Sequence, residues 1–180
     1  MQRPVHRVPP QSPIRRAEMA AGLTAELAAV VAGARRRALR DGDRQIDTAH
    51  LLHSLVESDP EVGAAFEDAS QRARLLGYLV QRSIGYGLRW QGSVEEPGGG
   101  HLVRRADLGG GTAEWSPSAA AAMASAFERA ASRGEPCARG LDLLAAIAAD
   151  PGSRAVEVLR RARVDPCALG DRIGALSQQV

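Results

Sequence analysis

The sequence predicts an all-α protein in which two related four-helix halves pack as one pseudo-twofold domain, and three observations lead there. The first is register: Leu23-Thr24, Gly42 and Leu51-Leu52 return 92 positions later as Trp115-Ser116, Gly134 and Leu143-Leu144. A fixed offset between an apolar-hydroxyl pair, a glycine and a leucine pair marks duplicated supersecondary structure, whose copies bury their faces against each other. The second is composition. Apolar residues make up 44% of the 180 residues but aromatics only 3%, so the core is built from Leu, Val, Ile and above all Ala, which favours close-packed helices over a sheet. The third is a three-and-four spacing of apolar residues throughout both copies.

Taken in order, residues 1–20 carry four prolines and scattered arginines with no apolar run, so they predict a disordered tail, neither signal peptide nor membrane anchor. The first copy spans 21–85. Thr24 is placed as an N-cap, and Leu27, Val30, Val31, Ala34 and Ala38 paint one stripe of a helix that ends at Asp41-Gly42-Asp43. A shorter helix starts at Asp47 or Thr48, runs through Leu51, Leu52, Leu55 and Val56, and stops at Asp59-Pro60. Residues 61–69 and 70–84 read as two more, the last with Leu75, Leu76, Leu79 and Val80 inward. Residues 86–114 lose periodicity and gain two glycine triplets, the composition of a flexible connector, although its length exceeds what compact domains usually hold without a functional reason. The second copy spans 115–178. It opens on the clearest helix signal in the chain, Ser116 as N-cap with Pro117 at the first helical position. That helix runs to about residue 133 and ends at Gly134, and further helices are expected over 141–149 and 153–163.

Several function classes drop out. All 23 basic residues are Arg, and without Lys there is no P-loop lysine and no Schiff base. No nucleophile stands near a His and an orienting acid, and no cofactor fingerprint occurs, so neither catalysis nor a cofactor is expected. The two cysteines, Cys137 and Cys167, fit reduced thiols in a cytoplasmic protein better than a disulfide framework. His50 and His53 stand three apart on a predicted helix without a third ligand, which argues against a metal site. Arginines 35, 36, 37, 40 and 44, with 160, 161 and 163, could grip phosphates, and a small basic all-α nucleic-acid-binding regulator is the alternative reading. Few aromatics and many interleaved acids favour solvated helix faces instead.

In order and spacing, the chain resembles the N-terminal repeat domain of the Clp family of bacterial protein unfoldases. There each copy opens with Phe-Thr and an amphipathic helix, followed by Gly, a Gly-Thr-Glu-His segment and a Leu-rich short helix. Here the first copy reads Leu23-Thr24, Gly42, Asp47-Thr48-Ala49-His50 and Leu51-Leu52, and the second opens Trp115-Ser116-Pro117-Ser118-Ala119. The resemblance implies a docking platform for substrates and adaptors. With no Walker A motif, it also implies a stand-alone form without the AAA+ ATPase rings, a non-catalytic adaptor, regulator or decoy of the Clp protease system. Its implied partners are Clp unfoldase and protease components, adaptors, substrate polypeptides or a cyclic-peptide ligand. Leu23, Trp115, Ala119 and Met123 are the expected partner-binding residues. Some relatives bind phosphoarginine through the Glu of each Gly-Thr-Glu-His segment. Those positions are Ala49 and Leu141 here, so such binding is expected to be weak or lost.

Overall fold

The computed structural model describes residues 21–84, 93–96 and 114–178, and within these the chain forms eight helices and one minimal strand pair. The first four helices are α1 (Ala25–Arg40), α2 (Thr48–Ser58), α3 (Pro60–Ala64) and α4 (Ala69–Ser83). The second four are α5 (Pro117–Ser132), α6 (Gly140–Ala149), α7 (Arg154–Arg161) and α8 (Pro166–Ser177). The expected tail and most of the expected connector lie outside the described residues.

The 92-residue register seen in the sequence governs the fold. Helices α1 and α5 are both 16 residues long and begin 92 positions apart, capped by Thr24 and Ser116, whose hydroxyls accept from Leu27 N–H and Ala119 N–H. Gly42 and Gly134 follow them at φ of 72° and 75°, the left-handed region where a side chain is strained, which is why glycine stands at both. Strands β1 (Gln45–Ile46) and β2 (Glu114–Trp115) then pair in parallel, Ile46 opposite Trp115, and the equivalent bridge joins Leu23 to Ala138. Each copy therefore lends its opening residues to the loop before the other copy's second helix. The matching hydrogen bonds run from Ser116 N–H to Ile46 O (2.9 Å) and from Thr24 N–H to Ala138 O (3.1 Å).

Helices α2 and α6 lie at the centre, packed on each other and on α1 and α5. Residues 48–56 of α2 are all buried, and α6 is buried except at Ala146 and Ala149, the pattern of a helix enclosed on every side. Their leucines, with Leu27, Leu75, Leu79 and Leu159, are the largest fully buried side chains. At roughly 1.5 to 3 kcal/mol for each fully buried Leu, Ile or Val, this shared core is what makes the two halves one unit.

Three details differ from the sequence reading. The helix expected over 61–69 is the five-residue α3, because Asp68 breaks away to cap α4 through Gln71 N–H. Val80 is 48% exposed, outside the inner face formed by Leu75 and Leu79. The last helix, α8, has the same signal as α5, an Asp165 cap followed by Pro166.

Candidate functional site

At the starts of α2 and α6, three of four equivalent positions differ in the sign of their charge. Asp41, Asp43, Asp47 and His50 in the first copy become Arg133, Glu135, Arg139 and Asp142 in the second. The first set closes a capping box and the second makes half of one, because an arginine side chain cannot accept. Asp47 Oδ1 accepts from His50 N–H (2.9 Å) while Asp47 N–H donates to His50 Nδ1 (3.2 Å); in the second copy Arg139 N–H donates to Asp142 Oδ2 (3.0 Å).

The His50 ring, 1% exposed, turns Nε2 toward Asp43 Oδ2 at 3.1 Å and Asp41 Oδ2 at 3.8 Å. Burial works against its charge, but Asp47 and the contact with Asp43 raise its pKa above the ordinary value. Asp47 is fully buried. Burial works against its charge too, yet His50, Arg82 and Arg154 hold its pKa well below the usual carboxylate range. His53 is not turned the same way. Its Nδ1 lies 3.4 Å from Arg37 Nη1, and burial together with Arg37 pushes its pKa down to about 4. The two histidines therefore do not form a chelate. Asp41, Asp43 and His50 lie close enough to ligate a cation, but their equivalents Arg133, Glu135 and Asp142 form a salt-bridged pin with Arg133 Nη1 2.6 Å from Asp142 Oδ1. Both trios fasten the end of a long helix to the start of a central one.

Two ion pairs cross between the copies, again with inverted sign. Asp47 Oδ2 meets Arg154 Nη1 at 2.8 Å, and Arg139 Nη1 meets Glu61 Oε1 at 3.0 Å. Each marks a cleft where a central helix of one copy begins beside the third helix of the other. The clefts are not filled alike.

In the first cleft Glu95, from the stretch between the copies, is 4% exposed and its carboxylate accepts four hydrogen bonds. They come from Thr48 N–H (2.9 Å), the Thr48 hydroxyl, the Ser116 hydroxyl (2.9 Å) and Arg154 N–H (2.8 Å). Ser118 N–H donates to Glu95 O (3.4 Å), so the starts of α2, α5 and α7 all point at one acidic residue. The second cleft, bounded by Thr24, Glu26, Asp59, Glu61, Arg139 and Gly140, is an open cavity of about 300 Å³. No residue from outside the two copies enters it among those described.

Of the expected partner-binding residues, Leu23 and Trp115 are half-buried, each on a strand contact and packed against the core. Ala119 and Met123, at 0% and 2% exposure, stand one turn apart on the inner face of α5. Ala49 and Leu141, where the family's glutamates would stand, are also buried. The arginine clusters are interleaved with acids, Arg37 pairing with Glu57, Arg40 with Asp41 and Arg161 with Glu157. Cys137 and Cys167 are free thiols. Sequence reasoning did not single out Glu95, an acid in a glycine-rich stretch. The charge inversion, by contrast, was readable by shifting Asp41, Asp47 and His50 by 92.

This duplicated all-α architecture has known counterparts. It matches the N-terminal domain of the caseinolytic protease-associated chaperone ClpD from Arabidopsis thaliana with a TM-score of 0.60 at 16% identity, over 87% of this chain and 95% of that one. A structure from preliminary investigations of a malarial protein secretion system matches with a TM-score of 0.60 at 13% identity, over 86% and 93%. No protein-family model and no curated protein matches the sequence. The chain thus has the fold of a Clp N-terminal domain, a conclusion that rests on shape and on the doubled register. Among the described residues no helix is long and apolar enough to cross a membrane.

Proposed function

We propose that the protein is a non-catalytic polypeptide-binding module of the Clp protease system, acting as adaptor, regulator or decoy. The open cleft between the copies carries this reading. Its rim combines three carboxylates, Glu26, Asp59 and Glu61, with Arg139, whose buried Nη2 has no hydrogen-bond partner among the described residues. A guest segment with a basic side chain would meet the carboxylates. Trp115 and Leu23, half-buried at the two strand contacts, offer apolar edges for an unfolded segment or a cyclic peptide.

The test is a pulldown with purified Clp unfoldase, its protease and their adaptors, followed by anisotropy with peptides of matched length carrying Arg or Glu at the centre. The reading expects capture of at least one Clp component and preference for the Arg peptide. Absence of both sinks it.

A further inference from the structure

The stretch Ser93–Glu96 is held as a bound peptide is held. Arg154 Nη2 donates to Ser93 O (3.0 Å) and Ser93 Oγ (2.7 Å), Ser118 N–H donates to Glu95 O (3.4 Å), and the Glu95 carboxylate takes the four hydrogen bonds already described. The contacts skip Val94 and read a Ser-x-Glu pattern, the spacing an extended segment presents to one side. Three helices of the two copies, α2, α5 and α7, supply the donors, and none of them needs the guest to be part of the same chain. The equivalent cleft across the pseudo-twofold axis is open. The donor set belongs to this side alone, since Gly140 and Val62 stand where Thr48 and Arg154 stand here.

We infer that the cleft at Thr48, Ser116 and Arg154 is a recognition site for acidic extended segments of Ser-x-Glu type, closed by the chain's own Ser93–Glu96 acting as an intramolecular competitor. The inference rests on the polypeptide-binding reading and deepens it. An acidic carboxylate is what the site selects, because the helix starts direct N–H groups inward and Arg154 adds positive charge only partly cancelled by Asp47. Covalent linkage presents the competitor at an effective concentration on the order of millimolar, so an outside segment of equal affinity enters only when the internal one is displaced.

The experiment uses the full chain, its Glu95→Ala variant and the gentler Glu95→Gln variant, which preserves side-chain bulk. The probe is a labelled Gly-Ser-Val-Glu-Glu peptide, with a control in which its first Glu is Gln. Glu95→Ala should bind the probe roughly tenfold or more tightly than the unaltered chain, and the control should lose most of that gain. Equal probe affinity for the unaltered chain and both variants, or equal affinity for probe and control, overturns the inference. If Glu95→Ala does not fold, Glu95→Gln carries the same comparison. Hydrogen exchange on the unaltered chain adds a readout free of mutation. Amides of Ser93–Glu96 should exchange through local opening, well ahead of the α2 core, and exchange only by global unfolding refutes a displaceable competitor. Probe binding by Glu95→Ala without capture of any Clp component would leave the site standing while the Clp assignment fails, so the two outcomes separate.

Discussion

Gly140→Ala tests the contact between the copies at the open cleft. Gly140 opens α6 in the second copy, and a Cβ built there would lie 2.0 Å from Asp59 Oδ2 and 3.1 Å from Val62 Cγ2, both from the first copy. The carboxylate cannot move freely, since Asp59 Oδ1 caps α3 by accepting from Glu61 N–H (2.9 Å) and Val62 N–H (3.3 Å). Swinging it aside forfeits a cap worth about 0.5 to 2 kcal/mol. Pressing on Val62, which is fully buried, adds overpacking of about 1 to 3 kcal/mol. Replacing glycine by alanine returns about 0.4 to 1 kcal/mol through the unfolded chain. The balance is a loss of about 0.5 to 4.5 kcal/mol, read as a lower urea midpoint at unchanged m-value. At this chain length each kcal/mol is worth about 2 to 4 °C in Tm. Asp59→Ser keeps a capping oxygen on a shorter arm, so in that background Gly140→Ala should cost less, with a coupling of about 1 kcal/mol or more. Equal or greater stability of Gly140→Ala, or strict additivity with Asp59→Ser, would refute the close packing on which this reasoning stands.

Trp115→Ala is expected to abolish partner capture while the helical circular dichroism spectrum persists; retained capture would assign Trp115 to packing alone. Acidification gives a signed prediction through His53, whose folded pKa of about 4 lies below its ordinary 6.5. Stability from this group is full above pH 6.5 and falls as pH drops toward 4, by about 1 to 2 kcal/mol at pH 5. His50, raised in the folded state, contributes in the opposite sense, adding stability below its ordinary pKa and losing it as pH rises through its folded value. His53→Gln should therefore lose less stability than the unaltered chain between pH 8 and pH 5, and parallel losses would exclude the His53 account. Calorimetric titration with a phosphoarginine peptide should give weak or no binding, because the side chains at 49 and 141 are apolar and buried; micromolar affinity would overturn that.

Much of the fold was legible because duplication writes the same local physics twice. The caps at Thr24 and Ser116, the positive-φ glycines at 42 and 134, and the leucine pairs all hold under the 92-residue shift. Asp165-Pro166 carried the same start signal as Ser116-Pro117 and identifies α8. Periodicity misled where a stripe outran its neighbours. Val80 follows Leu76 by four, but one step past Leu79 turns it about 100° away from the Leu75–Leu79 face, and it is 48% exposed. Ala119 and Met123 follow the opening aromatic, but their one-turn separation is itself the mark of an inner face. Glu95 could not have been found from local pattern. Its role exists only where Thr48, Ser116 and Arg154, distant in sequence, come together.

The charge inversion between the copies gives the asymmetry of the clefts a physical cause. On the Asp47 side, Arg82 and Arg154 both converge on one acid, and three helix starts add partial positive charge, so that cleft requires a further anion before its buried donors are satisfied. Glu95 supplies it from within the chain. On the Arg139 side the positions are reversed: Asp59 already caps α3 and Glu61 already holds the arginine. Asp47 becomes Arg139 and His50 becomes Asp142 across the repeat, and of the two clefts one holds an acidic segment of the chain while the other is open among the described residues.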